Sequence, residues 1–507
     1  MPAAAFCPIA NTGAVPLASI PSLAIDDFRA RITAAIAAGG RLIALFGRPV
    51  AQDVTELFAL VAPPGEQRLV VWRTTVGDRY PALTPDCPQA HLFEREIAEQ
   101  WGVVPEGHPF LKPVRFHHRY GTGADAWGRQ ADTALAPAVT DFFQVTGRDV
   151  HEVAVGPVHA GVIEPGHFRF QCHGETVFHL EIALGYQHRG VERRLVGGPD
   201  KCTLYQMETV AGDTTVGHAM AYCQVVEALA GIEPSPRAQG LRAIGLELER
   251  LTNHTGDLGA IAGDVGFLPT LSYCGRIRGD YLNATALLCG SRFGRGLVRP
   301  GGVGFDLDEP RGERLLTVLA AATADALDAV GLMWDQPSLM ARLEGTGAVS
   351  AQTCTDLGLV GVAARACGMA RDVRAEFPTG AYADKPVTPA RESTGDVYAR
   401  ARVRWQEIRT STDFIRRQVH ELPDDAPSTP LLPLAPNSLA LSLVEGWRGE
   451  VCHVAITDAT GCFARYKIVD PSFHNWPGLA MALRDQQISD FPLCNKSFNL
   501  SYCGHDL

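Results

Sequence analysis

Apolar and polar residues follow helical and strand-like rhythms in the first 120 residues. Residues 25–38 repeat with a helical period and stop at Gly39-Gly40, which is typical of a helix end. Residues 41–46 form a short apolar, strand-like run. The apolar runs 56–61 and 68–74 flank a Pro-Pro-Gly turn and predict a hairpin. These patterns indicate a small α+β domain.

A further helix is predicted in the segment 91–109. Phe93, Ile97 and Trp101 recur every four residues and make one apolar face, and Gly102 and Pro105 follow as helix-ending residues. The next stretch, 121–150, is rich in small and polar residues and shows little periodicity, which is typical of a linker.

The pattern changes after residue 151. Short strand-like runs cover residues 155–190, and long helical patterns follow. Five helices are predicted: Cys202–Gly231, Leu241–Gly263, Asp280–Arg295, Glu313–Met333 and Tyr398–Val419. Strand-like alternation returns near 448–454 and 465–468. The predicted fold class is α+β, with a small N-terminal domain (1–120), a linker (121–150) and a large, mainly helical domain with small β elements (151–507).

Composition limits the function classes. The 507 residues are 46% hydrophobic and 20% charged with net charge −11, which is globular and argues against a nucleic-acid partner. The longest apolar stretch, 315–334, contains Asp325 and Asp328, so we expect a buried helix rather than a membrane span. The N-terminus lacks the basic and apolar regions of a secretory signal. Thirteen cysteines without a CxxC pair indicate a reducing cytoplasm.

Standard site signatures are missing from the sequence. It contains no P-loop and no HExxH motif, and its glycine-rich run near 290–304 does not follow a predicted strand, so NAD binding by this chain has no motif behind it. Four other segments carry the information: 156–175 with 184–194, 207–227, 278–284 with 358–374, and the C-terminal stretch from 444 to 507.

These segments, in this order, resemble the large subunit of group 4, energy-converting nickel–iron hydrogenases. The relatives include the formate hydrogenlyase large subunit and the 49-kDa subunit of respiratory complex I, an NADH–quinone oxidoreductase. The segment FEREI…GVVPEGHP in residues 93–109 is similar to a signature of the 30-kDa complex I subunit, which is often fused in front. The resemblance covers nearly the whole chain.

The resemblance also locates the positions of the metal ligands. Four cysteine thiolates hold nickel and iron in the hydrogenases, and soft thiolates suit such metals. The matching positions here are Ala211, Thr214, Ser501 and Gly504, with Cys503 one residue out of register. Alanine and glycine offer no donor, so the sequence predicts that no nickel–iron centre is bound in the usual way and that hydrogenase activity is lost.

The quinone-binding pattern of complex I is altered as well. The matching positions for its histidine and tyrosine, which donate protons to a reduced quinone, are Ile163 and Gly212. Quinone therefore stays a candidate acceptor only in a remodelled cavity.

Several polar residues of the family pattern remain. Glu164 matches a proton-passing glutamate, Arg448 an arginine over the metal centre and His218 the histidine that closes the first metal motif, and we predict these three as catalytic. His159, Asp213 and Gly212 are predicted to line the remodelled cavity.

Two other interpretations of the same residues stay open. In one, Glu164 and Arg448 form an ion pair that braces a plugged cavity. In the other, a different metal is held by Asp213, His218 and Glu164 with His505, since harder metals accept oxygen and nitrogen ligands.

Other matching residues favour structural roles. Glu247, Arg250 and His254 lie within two turns of the second helix, where we expect them to pack helices and dock partners. Cys494 and Cys503 are expected to be free thiols.

The resemblance implies a subunit peripheral to the inner face of the cell membrane, between an iron–sulfur small subunit and membrane-arm subunits. The chain has no iron–sulfur motif, so the cluster would belong to the partner. One hypothesis is electron transfer to a quinone or another small acceptor in the remodelled cavity. The alternative is a non-catalytic structural or coupling subunit.

Overall fold

The computed structural model describes residues 6–159 and 163–507. Helices and strands are mixed along the chain, so the fold is α+β. The N-terminal elements are β1 (Pro8–Ile9), β2 (Ala14–Pro16), β3 (Ser22–Leu23), α1 (Ile25–Ala37), β4 (Arg41–Ala51), β5 (Val54–Ala62), β6 (Leu69–Val76), β7 (Arg79–Pro81), α2 (His91–Trp101) and β8 (Val104–Glu106).

Most of these strands form one sheet in the order β1-β6-β5-β4, with β3 parallel to β6. β5 and β6 form the predicted antiparallel hairpin. The helix predicted to begin at residue 91 ends at Gly102, which adopts φ 72° as glycine readily does. Residues 107–149, all of them described, contain no helix or strand.

The next elements begin with a three-stranded sheet in the order β11-β10-β9. The elements up to residue 303 are β9 (Val150–Val155), β10 (His167–His173), β11 (Thr176–Ala183), α3 (Val191–Arg194), α4 (Thr203–Met207), α5 (Thr215–Ala230), α6 (Pro236–Asp264), α7 (Leu268–Cys289), β12 (Val298–Arg299) and β13 (Gly302–Val303).

The predicted helix 202–231 is two helices, α4 and α5, separated by residues 208–214. The predicted helix 280–295 is shifted: α7 begins at Leu268 beside Pro269 and ends at Gly290, whose φ of 74° closes it.

The remaining elements are α8 (Glu309–Trp334), α9 (Pro337–Leu343), α10 (Ala351–Leu357), α11 (Gly361–Ala366), α12 (Val373–Glu376), α13 (Ala381–Asp384), α14 (Val397–His420), β14 (Ser438–Glu445), β15 (Glu450–Thr457), β16 (Phe463–Val469), α15 (Pro471–Ala482), α16 (Phe491–Phe498) and α17 (Tyr502–Asp506). One described helix, α8, is long and apolar enough to cross a membrane by length and composition. Leu315, Ala322 and Val330 on one of its faces are buried in the protein.

The C-terminal sheet has the order β16-β15-β14-β2, so a strand from the N-terminal region completes it. Both faces of β14 are buried, and successive side chains point to opposite faces. Leu439 and Leu441 join the core that contains the N-terminal sheet, whereas Ala440 and Val444 join the helical core. This sheet therefore lies between the two main cores and ties the ends of the chain together.

Candidate functional site

The two segments that correspond to the metal-ligand motifs both lie at helix starts. We call residues 211–214, just before α5, the first loop, and residues 501–504, at the start of α17, the second loop. Ala211 and Thr214 are buried in the first loop. In the second loop, Ser501 caps α17, because its hydroxyl accepts a hydrogen bond from the Gly504 amide at 2.9 Å.

An ion pair joins the first loop to the turn after β14. Arg448 donates two parallel hydrogen bonds to the Asp213 carboxylate, Nη1 to Oδ1 at 2.6 Å and Nη2 to Oδ2 at 2.7 Å. The Trp447 indole nitrogen donates to the Asp213 carbonyl at 2.9 Å. Burial opposes the charge of Arg448, but the Asp213 carboxylate raises its pKa above the ordinary value. The guanidinium is thus held in a bidentate pair over the first loop.

Asp470 closes the second loop by close packing. A Cβ atom at Gly504 would lie 2.7 Å from the Asp470 carboxyl group, a distance too short for any side chain without a shift of one of the two. The Asp470 carboxyl group therefore occupies the space that a side chain at position 504 would need. Ala211 offers no ligand atom, and Thr214 and Ser501 offer hydroxyl oxygens in place of thiolates, so the residues do not fit a four-thiolate nickel–iron centre.

His218 is fully buried in a line of polar side chains. Its Nε2 lies 3.1 Å from Asp470 Oδ2, and its Nδ1 lies 3.0 Å from Nε2 of His453. The other ring nitrogen of His453 is 2.9 Å from the Tyr466 hydroxyl. Burial raises the cost of ionising Asp470, yet its hydrogen bond with His218 keeps its pKa below the ordinary value. Burial holds the pKa of His453 well below 6.5, so that ring is neutral at pH 7.

Glu164 lies beside the second loop and not beside Arg448. Its carboxylate accepts hydrogen bonds from the backbone amides of Tyr502 and Cys503, each at 3.3 Å, and from Gln187 at 3.2 Å. The sequence suggested an ion pair between Arg448 and Glu164. In the structure, Arg448 pairs with Asp213 instead. Burial, with the nearby Glu164 charge, raises the pKa of Cys503 to about 11.

The space next to Gly212 is small. A Cβ atom there would meet nothing within 4 Å. The adjoining cavity, lined by Gly212, Asp213 and Phe293, has a volume of about 20 Å³. Such a volume holds about one water molecule and not a quinone head group. Half-buried His159 packs on Phe168, and its Nε2 has no hydrogen-bond partner within residues 6–159 and 163–507.

The residues proposed as an alternative metal site do not converge. Asp213 pairs with Arg448, His218 with Asp470 and His453, and His505 with Asp506. Among the described residues, no group of three or more His, Cys, Asp or Glu side chains is arranged to hold a metal ion.

Glu247, Arg250 and His254 form part of a buried ionic network between α6, α14 and the C-terminal sheet. Glu247 pairs with Arg374 at 3.1 Å, Arg250 donates to the Glu445 carbonyl at 2.6 Å and His254 Nε2 lies 2.8 Å from Glu407. These contacts join helices, as expected of structural residues. Cys494 and Cys503 are free thiols.

The sequence interpretation missed Glu249 and Asp470. The Glu249 carboxylate accepts hydrogen bonds from the amides of Val216 (2.7 Å) and Gly217 (3.2 Å), directly after the first loop. Burial raises its pKa to about 8. A signal for Glu249 was the run Glu247–Arg250, which places three charged residues within one turn of a largely buried helix. For Asp470 the signal was Asp-Pro, typical of a helix start.

Comparisons with known proteins identify the family to which the chain belongs. A family described as the 49 Kd subunit of respiratory-chain NADH dehydrogenase matches residues 264–433. The carbon monoxide-induced hydrogenase of Rhodospirillum rubrum is 32% identical over 354 residues, 69% of this chain and 97% of the relative. The chain belongs to the family of group 4 nickel–iron hydrogenase large subunits and complex I 49-kDa subunits.

Two further relatives extend this match. Formate hydrogenlyase subunit 5 of Escherichia coli is 28% identical across 92% of this chain and 84% of its own length. The membrane-bound hydrogenase subunit alpha of Pyrococcus furiosus is 28% identical across 67% of this chain and 83% of its own length. Their names confirm the oxidoreductase and hydrogenase-like assignment made from the sequence.

Proposed function

We propose that this chain is a subunit of a membrane-associated, complex I-like or hydrogenase-like oxidoreductase complex in which it carries no nickel–iron centre. Residues 1–120 would be the 30-kDa-like unit and residues 151–507 the 49-kDa-like unit, joined by 121–150. The names of the family and the relatives support the kind of complex. The function best supported for this chain is structural or coupling, without hydrogen chemistry.

One observation supports this proposal: both loops that correspond to the metal-ligand motifs of the family are filled by the chain's own side chains. The Arg448–Asp213 pair occupies the first loop, and the Asp470 carboxylate packs on Gly504 in the second. A fully paired guanidinium and a closely packed glycine provide rigidity but leave no thiolate and no open ligand position.

The partners proposed are an iron–sulfur small subunit and membrane-arm subunits, on the cytoplasmic side of the cell membrane. An exposed apolar side chain supports a covered surface near the first loop, since Phe293 is 47% exposed. Phe293 also lines the small cavity beside Gly212. A partner on this surface would lie against the candidate site.

The test uses the purified membrane complex beside a nickel–iron hydrogenase purified in the same way. We expect less than about 0.1 nickel per chain by mass spectrometry and no hydrogen evolution, because Ala211, Thr214, Ser501 and Gly504 supply no thiolate. Stoichiometric nickel together with hydrogen evolution would overturn the proposal.

A second candidate function is electron transfer to a quinone or another small acceptor near Gly212, Glu164 and His159. One observation favours it: within the described residues, the His159 Nε2 has no hydrogen-bond partner. The cavity beside Gly212 holds about one water molecule, so an acceptor would require that cavity to widen. In that case Glu164→Gln would lower quinone-analogue reduction more than tenfold in a fully assembled complex. For the coupling role we expect unchanged reduction.

The substitution Gly212→Leu tests the same candidate function by filling space instead of removing a charge. It would fill the space beside the first loop and block an acceptor there. Gly77→Leu is the matched control, since a Cβ at Gly77 also meets nothing within 4 Å and Gly77 lies between β6 and β7. Loss of reduction with Gly212→Leu alone would favour the second candidate, and equal activity of both variants would favour the coupling role.

A further inference from the structure

A larger cavity lies away from the ion pair, where the N-terminal region meets the C-terminal one. Its volume is about 290 Å³, and its walls come from α2 and residues 110–116 on one side and from β11 and α15 on the other. The apolar part of the lining includes Phe116, Leu180, Ile182, Leu184, Trp476 and Met481. Neither the Arg448–Asp213 pair nor Gly504 lines this cavity.

The charge of Arg95 in this cavity is not paired with a carboxylate. Arg95 Nε donates to the Lys112 carbonyl at 2.7 Å and Nη2 to the Pro113 carbonyl at 2.8 Å, while Nη1 lies 3.2 Å from Nε2 of His91. Within residues 6–159 and 163–507, no carboxylate lies within 4 Å of it. Burial lowers the pKa of Arg95 to about 10, although Glu99 and Glu181 attract it from farther away.

The other charged groups of the lining leave this positive charge in place. Lys112 pairs with Glu181 at 2.6 Å, and the second oxygen of Glu181 accepts the Phe143 amide at 2.8 Å. Burial lowers the pKa values of His91, His179 and His505, so these rings are neutral at pH 7. Two cations and one carboxylate give the lining a net charge of +1.

The volume limits the size of a ligand. At roughly 30 Å³ per water, 290 Å³ corresponds to about ten non-hydrogen atoms. Pockets that bind small molecules are mostly apolar, with a few placed polar groups that fix orientation. A guanidinium fork suits a carboxylate, which it can bind through two parallel hydrogen bonds.

We propose that this cavity binds a monocarboxylate with an apolar body, of the size of a medium-chain fatty acid. The carboxylate pairs with Arg95, and the hydrocarbon chain lies against Leu180, Ile182 and Met481. Binding supplies the counterion that the protein itself does not give to Arg95. This inference does not depend on the proposed function of the complex.

The first test is calorimetric titration of the full-length protein with octanoate, which has ten non-hydrogen atoms. We expect a Kd on the order of 0.1 mM, a modest affinity for so small a ligand. The neutral analogue 1-octanol should bind at least tenfold more weakly, because it cannot pair with Arg95. Equal affinities for octanoate and octanol, or no octanoate binding at millimolar concentration, would overturn the proposal.

Two variants locate the binding in this cavity. Arg95→Met should weaken octanoate binding at least tenfold, whereas Arg48→Met, which removes an arginine paired with Glu56 at 2.6 Å outside the cavity, should not change it. Ala480→Phe places a ring in the cavity from α15 and should abolish binding while Arg95 stays in place. The second variant decides the question even where Arg95→Met fails to fold. Unchanged octanoate binding in Ala480→Phe would place the ligand elsewhere and overturn the proposal.

Discussion

The two loops that correspond to the metal-ligand motifs of the family are closed by different physical means. The first loop is closed by charge: Asp213, whose side chain is 35% exposed, holds Arg448, whose side chain is 4% exposed, and there is room beside Gly212. The second loop is closed by contact, since Gly504 packs on the buried Asp470 carboxylate. We expect the first loop to tolerate added side-chain volume but not the loss of a charge. We expect the second loop to tolerate the loss of a charge but not added side-chain volume. The following predictions test that difference.

The largest effect is expected from Asp213→Asn. It leaves the buried Arg448 guanidinium without its carboxylate partner, so we expect the free energy of unfolding to fall by about 3 kcal/mol. This value is at the low end of the range for broken buried pairs, because the Asp213 side chain is partly exposed to water. Chemical denaturation monitored by circular dichroism measures it. Arg448→Met should cost less, since the half-buried Asp213 can stay hydrated.

The double variant Asp213→Asn/Arg448→Met is the control for this pair. Its cost should be smaller than the sum of the two single costs, because each single change already breaks the same interaction. Additive costs would show that the pair contributes nothing to closing the first loop.

The next effect is expected from Gly504→Ala. The new Cβ would lie 2.7 Å from the Asp470 carboxyl, so we expect a loss of about 1–3 kcal/mol by overpacking. Gly212→Ala is the matched variant in the first loop, where a Cβ meets nothing within 4 Å, and it should be neutral or stabilising by up to about 1 kcal/mol. Thermal unfolding of the two proteins side by side measures the contrast, and equal melting temperatures would contradict it.

The remaining prediction is a pH dependence from Glu249, beside the first loop. Its folded pKa of about 8 exceeds its ordinary value of 4.5, chiefly through burial. The folded state therefore keeps a proton that the unfolded state releases, so this stabilisation is full below pH 4.5 and is lost as pH rises to 8. The slope from this group is at most about 1.4 kcal/mol per pH unit.

Glu249→Gln should flatten the decline in stability between pH 5 and 8, as measured by urea denaturation at several pH values. Glu313→Gln, which changes an exposed residue of α8, should keep the slope of the unaltered protein. An unchanged slope in Glu249→Gln would show that Glu249 is ionised in the folded protein.

Local patterns predicted most of the helices well. The apolar stripe from Leu241 to Gly263 became α6, and Tyr398–Val419 became α14 within one residue at each end. The boundaries of α7 were wrong, because its first half buries only the narrow stripe Thr270, Cys274 and Ile277. Its apolar residues Leu268, Leu271 and Tyr273 are exposed and obscure that stripe in the sequence. β14 was missed, although Ser438, Ala440 and Ser442 alternate with leucines in it and both of its faces are buried.

The candidate site was less predictable. The resemblance located Arg448, Asp213 and Gly504 in motifs, and the absence of thiolates was visible at once. Which acid pairs with Arg448 depends on how the turn after β14 docks on the first loop, 235 positions away along the chain. The periodicity of apolar residues within one segment does not predict this contact between distant segments. The same holds for His218, whose partners His453 and Asp470 come from the C-terminal sheet and the start of α15.

The pairing of β2 with β14 makes completion of the fold depend on completion of synthesis. Ala14 pairs with Ala440, so the outer strand of the C-terminal sheet leaves the ribosome long before its neighbour exists. At about 5–20 residues per second, that interval lasts on the order of tens of seconds. During this time β2 has no partner strand in that sheet and is open to chaperones. Only a finished chain can close this sheet, so truncated products lack the joined core that a partner subunit would meet.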